Sequence, residues 1–159
     1  MRLATALLVA ALAGCAQLQS TSEPSLFELN GRIAARYGAE SFSGNIAWRH
    51  AERSDEMLLS TPLGQGVARI VREGGSVTLT TAEPKEYQAQ DAESLTEKVL
   101  GFRVPVEGLA QWVLGRPAPE LEARGWKVEY QDFDAERRPT RLRITYPGIE
   151  LRLAVTEWK

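Results

Sequence analysis

One cysteine and one histidine stand in a chain of 159 residues. A single thiol cannot close a disulfide within the chain. A single imidazole leaves the usual zinc sites and nucleophile–base pairs without their partners. Basic charge is also scarce. Nineteen Lys and Arg are set against twenty-one Asp and Glu, a formal charge of −2, so no overall positive field draws nucleic acid to the protein. No apolar run is long enough for a permanent membrane-spanning helix. Gly64-Gln65-Gly66 is not a phosphate-binding loop, because neither a helix nor a Lys-Ser/Thr pair follows it. His50 follows Arg49 at an expected strand end and is expected at the surface. Glu52, Asp55 and Glu56 fall in the hairpin loop after it, and Asp132 and Asp134 flank Phe133 in a turn. Carboxylates so placed read as solvated and not as a paired acid–base site. No enzyme and no cofactor are expected.

The N-terminus supplies the first positive signal. "MRLATALLVAALAGCAQ" has one basic residue, an apolar run from Leu3 to Ala13, and then small residues. That is the three-part pattern of a secretory signal. It ends in Leu12-Ala13-Gly14-Cys15, which resembles a bacterial lipobox, where the cysteine is lipidated and becomes the first mature residue. The other reading is an ordinary signal peptide that happens to precede a cysteine. Lipidation gives Cys15 a use that a lone exported thiol lacks. The expected layout is a signal peptide over 1–14, a lipidated N-terminus and tether over 15–25, and one domain over 26–159. Loss of Arg2 makes the mature chain still more acidic, so membrane attachment must come from acyl chains. At about 0.8 kcal/mol per buried CH₂, two or more chains anchor stably where one does not.

From Leu26 onward the apolar period is two. Phe27, Leu29, Gly31, Ile33, Ala35 and Tyr37 share a face, and Phe42, Gly44, Ile46 and Trp48 repeat the pattern. Further strands are expected at Glu56–Thr61, Gly66–Arg72, Ser76–Thr81 and Lys85–Ala89. After a break come three more, around Trp126–Tyr130, Leu142–Tyr146 and Ile149–Val155. Gly and Pro punctuate them closely, which favours antiparallel hairpins and leaves no long crossover for a parallel sheet. Residues 91 to 115 break the period. Asp91 caps a helix that stops at Gly101. Pro105 opens a second, whose stripe is Val106, Leu109, Trp112 and Val113. The fold class is therefore mainly β, about nine antiparallel strands in a curved or open sheet, with two short helices as a lid or plug on its apolar face.

Residues 60 to 66, "STPLGQG", form a tight turn between two strands, with Pro62 setting φ and Gly64 closing it. Its tip is Leu63, where a polar residue is usual. Trp48, Trp112, Trp126 and Trp158 are large apolar groups that either fill the core or line a cavity, and a buried indole needs a partner for its N–H.

Taken in order, "LNGRIAARYGAESFSGNIAW", "LLSTPLGQGVARI", "YQAQDAESL", "GFRVPVEGLAQWVLGRP", "GWKVEYQDF" and "IELRLAVTEW" resemble the LolB family of outer-membrane lipoproteins over nearly the whole mature length. The resemblance implies an incomplete antiparallel β-barrel of nine to eleven strands, with a helical lid over a hydrophobic cavity for acyl chains. It implies a receptor that takes lipoproteins from a LolA-like periplasmic carrier and inserts them in the outer membrane without ATP. The implied partners are that carrier, the acylated lipoprotein cargo and outer-membrane lipid, with no nucleic acid, for a monomer. Cys15 is the implied lipid attachment. Pro62, Leu63 and Gly64 form the implied membrane-insertion loop. The inward apolar positions Ile33, Phe42, Ile46, Trp48, Leu109, Trp112, Val113, Trp126, Val128 and Ile144 are the implied cavity. Ala16, after the cysteine, fits outer-membrane sorting by analogy with enteric lipoproteins, in which Asp there retains a protein in the inner membrane. Two departures stand out: the segment before the first strand is too short for the helix common in the family, and the connection from Gly115 to Trp126 is brief. A lipid-anchored binding or scaffold domain for another apolar ligand shares the lipobox and the sheet, but does not require Leu63 to be exposed.

Overall fold

The computed structural model describes residues 23–83 and 85–159; Cys15 and the expected signal peptide lie outside them. Nine strands form one antiparallel sheet. They are β1 (Ser25–Tyr37), β2 (Glu40–Ala51), β3 (Ser54–Ser60), β4 (Gly66–Glu73), β5 (Ser76–Thr81), β6 (Glu86–Ala89), β7 (Lys127–Phe133), β8 (Pro139–Tyr146) and β9 (Ile149–Trp158). Their spatial order is β6-β5-β4-β3-β2-β1-β9-β8-β7. The two edge strands do not pair with each other, so the sheet is open. Three helices lie between those edges in the chain: α1 (Ala92–Leu100), α2 (Val106–Val113) and α3 (Pro119–Ala123).

The sheet has to curl. Nine strands laid flat would span roughly 38 Å at the usual strand spacing. Yet Tyr87 and Ala89 of one edge and Val128 and Tyr130 of the other pack against one buried cluster, which also holds Leu95, Val106, Leu109, Ala110, Trp112, Val113 and Leu121 of the helices. The period-two pattern supplies the inward face. Leu29 pairs with Trp48, Trp48 with Met57, and Met57 with Ile70. On the other side Ile33 pairs with Leu153 and Leu153 with Leu142. At Gly44 a Cβ would run into the carbonyl oxygen of Ser60 on the next strand, and the Phe42 ring lies over the same spot. Glycine there lets β2 and β3 close up at the base of the Leu63 turn.

The helices obey their end signals. Asp91 accepts from the Ser94 backbone N–H at 2.7 Å and so caps α1. That bond holds the Asp91 carboxyl below its usual range. Gly101, left-handed at φ 81°, ends the helix. α2 follows Pro105 and buries Val106, Leu109, Ala110, Trp112 and Val113. α3 was not anticipated. Pro119 at its start and buried Leu121 set one extra turn of helix in the connection that reads as a bare link in sequence. The N-terminal boundary also shifts. Ser25 is already in β1. Glu23 is fastened as well: its carboxylate accepts from the Arg53 N–H and the Ser54 hydroxyl, and its carbonyl accepts from Arg49.

Candidate functional site

The turn carrying Leu63 is fully bonded within itself. The Gly64 N–H donates to the Thr61 carbonyl at 2.8 Å, the Thr61 N–H to the Gln65 carbonyl at 2.8 Å, and the Gln65 N–H to the Thr61 hydroxyl at 3.2 Å. Asn45 of β2 donates to the Thr61 carbonyl at 3.0 Å and ties the turn to the sheet. This is a three-residue hairpin loop in which Pro62 pre-sets its φ and Gly64 takes the left-handed conformation, φ 87°. Leu63 between them is 92% exposed, the most exposed large apolar side chain among the described residues. The backbone holds it in solvent, and no loose loop is involved.

Beside this turn the inward face is only half covered. Ile33, Ala35, Phe42, Leu59 and Ala68 are each partly exposed, and the register makes them neighbours: Ala35 with Phe42, Ile33 with Gly44, Ile46 with Leu59, and Leu59 with Ala68. Deeper in, the face is filled. Ile46, Trp48, Leu109, Trp112, Val113, Trp126 and Ile144 are all buried and pack on one another and on the helices. Of the ten residues expected to line a cavity, Ile33, Phe42 and Val128 therefore face partly open space, while the other seven form closed packing. A hollow of about 570 Å³ lies among the helices, but Asp91, Glu93, Arg103, Glu107, Gln111 and Arg124 line it with polar groups.

α2 is the element that fills the interior, and polar contacts tie it to both halves of the sheet. At its start Glu107 lies 3.6 Å from the Arg72 guanidinium of β4. At its end the Tyr130 hydroxyl of β7 donates to the Trp112 carbonyl at 3.1 Å. Burial raises the Tyr130 phenol above its usual range. Trp112 Nε1 is buried with no protein acceptor. Aromatic pairs close the rim. Phe102 lies against Tyr37 at 4.6 Å, and Trp126 stacks on Tyr146 at 4.8 Å.

His50 and Asp55 correct the expectation of a solvated strand end and loop. Both are buried. Asp55 accepts from Trp48 Nε1 at 2.9 Å and from Arg72 Nε at 2.6 Å, and lies 2.7 Å from His50 Nδ1. The cause is register. His50 and Asp55 face each other across β2 and β3, and Asp55 faces Arg72 across β3 and β4, all on the inward rows. A buried carboxylate that accepts from Trp48 and Arg72 and lies against His50 is satisfied, so the group is a structural clamp under the lid helix.

The family profile described as "Outer membrane lipoprotein LolB" matches residues 25–158. The chain belongs to the LolB family. Curated LolB relatives are similar over most of their length. The outer-membrane lipoprotein LolB of Thiobacillus denitrificans is 36% identical, over 94% of this chain and 92% of the relative. That of Dechloromonas aromatica is 37% identical, over 100% and 97%. That of Nitrosomonas europaea is 37% identical, over 90% and 76%. A crystal structure of a LolA superfamily protein from Nitrosomonas europaea shares the fold, with a TM-score of 0.50, 11% identity and coverage of 87% and 86%. At that identity the likeness is one of fold.

Proposed function

We propose that this LolB-family protein is an outer-membrane lipoprotein receptor that accepts acylated lipoproteins from a periplasmic carrier and inserts them in the bilayer without ATP. The observation that carries the reading is Leu63, held 92% exposed on a self-bonded turn beside half-exposed apolar rows. A general binding or scaffold domain has no need of such a tip. Acylated Cys15 anchors the chain, and Leu63 dips into lipid to orient the mouth. Burying one leucine side chain contributes about 1.5–3 kcal/mol, too little to anchor a protein and enough to bias its orientation.

Acyl chains enter by displacing α2. Withdrawing Val106, Leu109, Trp112 and Val113 from the sheet costs roughly 6–12 kcal/mol at about 1.5–3 each. One acyl chain of about fifteen methylenes contributes on the order of 12 kcal/mol when buried, at about 0.8 per CH₂. A single chain roughly balances the opening, and two or three exceed it. The packed interior is then a closed state that multiply acylated cargo opens, after which Ile33, Phe42, Ile46, Trp48, Leu109, Trp112, Val113, Trp126, Val128 and Ile144 line the cavity. Each step toward the bilayer needs only a modest difference in affinity, since 1.4 kcal/mol gives a tenfold bias. The test is transfer of a radiolabelled lipoprotein from its carrier to vesicles, with the full chain present or absent and no nucleotide added. Transfer that depends on the chain supports the reading; transfer that is no faster with it refutes the reading.

A further inference from the structure

The outward face of the sheet carries a charge pattern that the acyl cavity does not use. Cross-strand register partners share a face, as do residues two apart on one strand. Register therefore sets Asn45, Arg32, Ala154 and Arg141 in one row across β2, β1, β9 and β8, and Ser43, Ala34, Arg152 and Arg143 in the next. Both rows lie opposite the core face of Ile33, Leu153 and Leu142. Small residues sit beside arginines in both rows, so Ala34, Ala154 and Ser43 make a low floor and four guanidinium groups stand around it. The result is a hollow of about 620 Å³ that Pro62 of the Leu63 turn also lines.

No carboxylate lines this hollow. Glu150, in the next row, is shared: it meets Arg143 and Arg152 at 2.6 Å each and Arg36 at 3.8 Å. Arg32 and Arg141 have no ion pair among the described residues. On β7 the two rows end in carboxylates, Asp132 facing Arg141 and Glu129 facing Arg143 in register; neither forms an ion pair with its arginine, and Asp132 accepts from the Phe133 N–H and Glu129 from Gln131. A chain with a net charge of −2 thus gathers four arginines around one hollow that no carboxylate lines, and Asn45 bonds that place directly to the base of the apolar tip.

We propose that this hollow binds the phosphate groups of anionic phospholipids, so that the arginines grip headgroups while Leu63 enters the acyl layer. Planar guanidinium forks suit phosphate oxygens, and the polar Ser43, Asn45 and Gln131 supply further contacts at the edge. The proposal rests on the membrane-facing role given to Leu63 above, and the two separate by experiment. The mature chain, residues 15–159 carrying Cys15→Ala and so lacking both the acyl anchor and the apolar signal peptide, is partitioned onto vesicles of phosphatidylcholine alone and of phosphatidylcholine with phosphatidylglycerol in equal parts. Arg32→Gln/Arg141→Gln leaves no carboxylate orphaned, because neither arginine holds one. It weakens partition onto the anionic vesicles by about fivefold per arginine and leaves the neutral vesicles unchanged. Arg32→Lys/Arg141→Lys keeps most of the binding, which separates charge from folding. Raising salt until the Debye length is about 3 Å abolishes the difference between the two vesicle types. Leu63→Glu, by contrast, weakens partition onto both. If the Gln pair binds anionic vesicles as the parent does while Leu63→Glu fails on both, the headgroup site is wrong and the inserting turn stands. If the Gln pair fails on anionic vesicles and Leu63→Glu loses nothing, the turn reading falls instead. Displacement by inorganic phosphate at constant ionic strength would mean that the hollow reads free phosphate, and would overturn the lipid assignment.

Discussion

Replacing Leu63 with glutamate separates folding from delivery. Leu63 is 92% exposed and packs on nothing, and the turn is held by backbone bonds and the Thr61 hydroxyl. A surface change of that kind shifts stability by no more than about 0.5 kcal/mol, so the thermal midpoint is expected to stay within a degree or two of the parent. In lipid the balance differs. The leucine side chain contributes about 1.5–3 kcal/mol when buried, and glutamate contributes nothing there, so the membrane-engaged orientation loses about tenfold to 150-fold in population. The interior rows are untouched, so uptake of cargo from the carrier proceeds as before. The assay is two-stage: transfer of a labelled lipoprotein from carrier to the soluble mature chain, residues 15–159 with Cys15→Ala, then from that chain to vesicles. Leu63→Glu is expected to complete the first stage and stall at the second. Full delivery by the variant would refute the tip's role, and failure at the first stage would mean that the turn belongs to the carrier-docking surface.

Three further outcomes follow from the geometry. Asp55→Asn removes the charge that Arg72, His50 and Trp48 share in a buried site, and breaking such a pair costs about 3–5 kcal/mol; urea unfolding should show the midpoint falling with the slope unchanged. Gly44→Ala sets a methyl group against the Ser60 carbonyl and under the Phe42 ring, at about 1–3 kcal/mol, and should also loosen the Leu63 turn, read as faster amide exchange at Gly64 and Gln65. Asp91→Ala removes the α1 cap at about 0.5–2 kcal/mol. Because the Ser94 N–H lowers the folded carboxyl below its usual value of 3.8, that contribution is complete above 3.8 and disappears as pH falls through the lower folded value. Parent and variant stabilities should differ at neutral pH and converge in acid.

The sheet was legible because its signal is periodic. Phe27 to Tyr37, with Ala34 as the exception, and Phe42 to Trp48 alternate, and burial follows that alternation from Phe27 to Arg32 and from Phe42 to Trp48. The same parity also marked the polar clamp: His50 continues the row of Trp48, Asp55 that of Met57, and Arg72 that of Ile70. By residue type alone His50 and Asp55 belong at the surface, and phase overrides type because each charge finds a buried partner. α3 escaped notice because one turn around Leu121 leaves no period to detect. The turn was legible from local chemistry, since Pro62 and Gly64 fix it, whereas an exposed Leu63 at its tip was implied by the family resemblance. Whether the inward apolar rows enclose an empty cavity or a packed core was not readable. Either state demands the same inward hydrophobic residues, and only the position of α2 distinguishes them. The arginine hollow was equally hidden, because it is assembled from four strands far apart in the chain and vanishes in the net charge.

The central claim is that the packed interior opens to acyl chains. It is tested most directly by loading the full chain with a lipoprotein whose acyl tails carry a photoactivatable diazirine, then irradiating and mapping the adducts. The account predicts adducts on the inward rows, at Ile33, Phe42, Ile46 and Val128 and on the sheet-facing side of α2 at Leu109 and Trp112. Adducts confined to Leu63 and the outer surface would show that the tails never enter, and would contradict it.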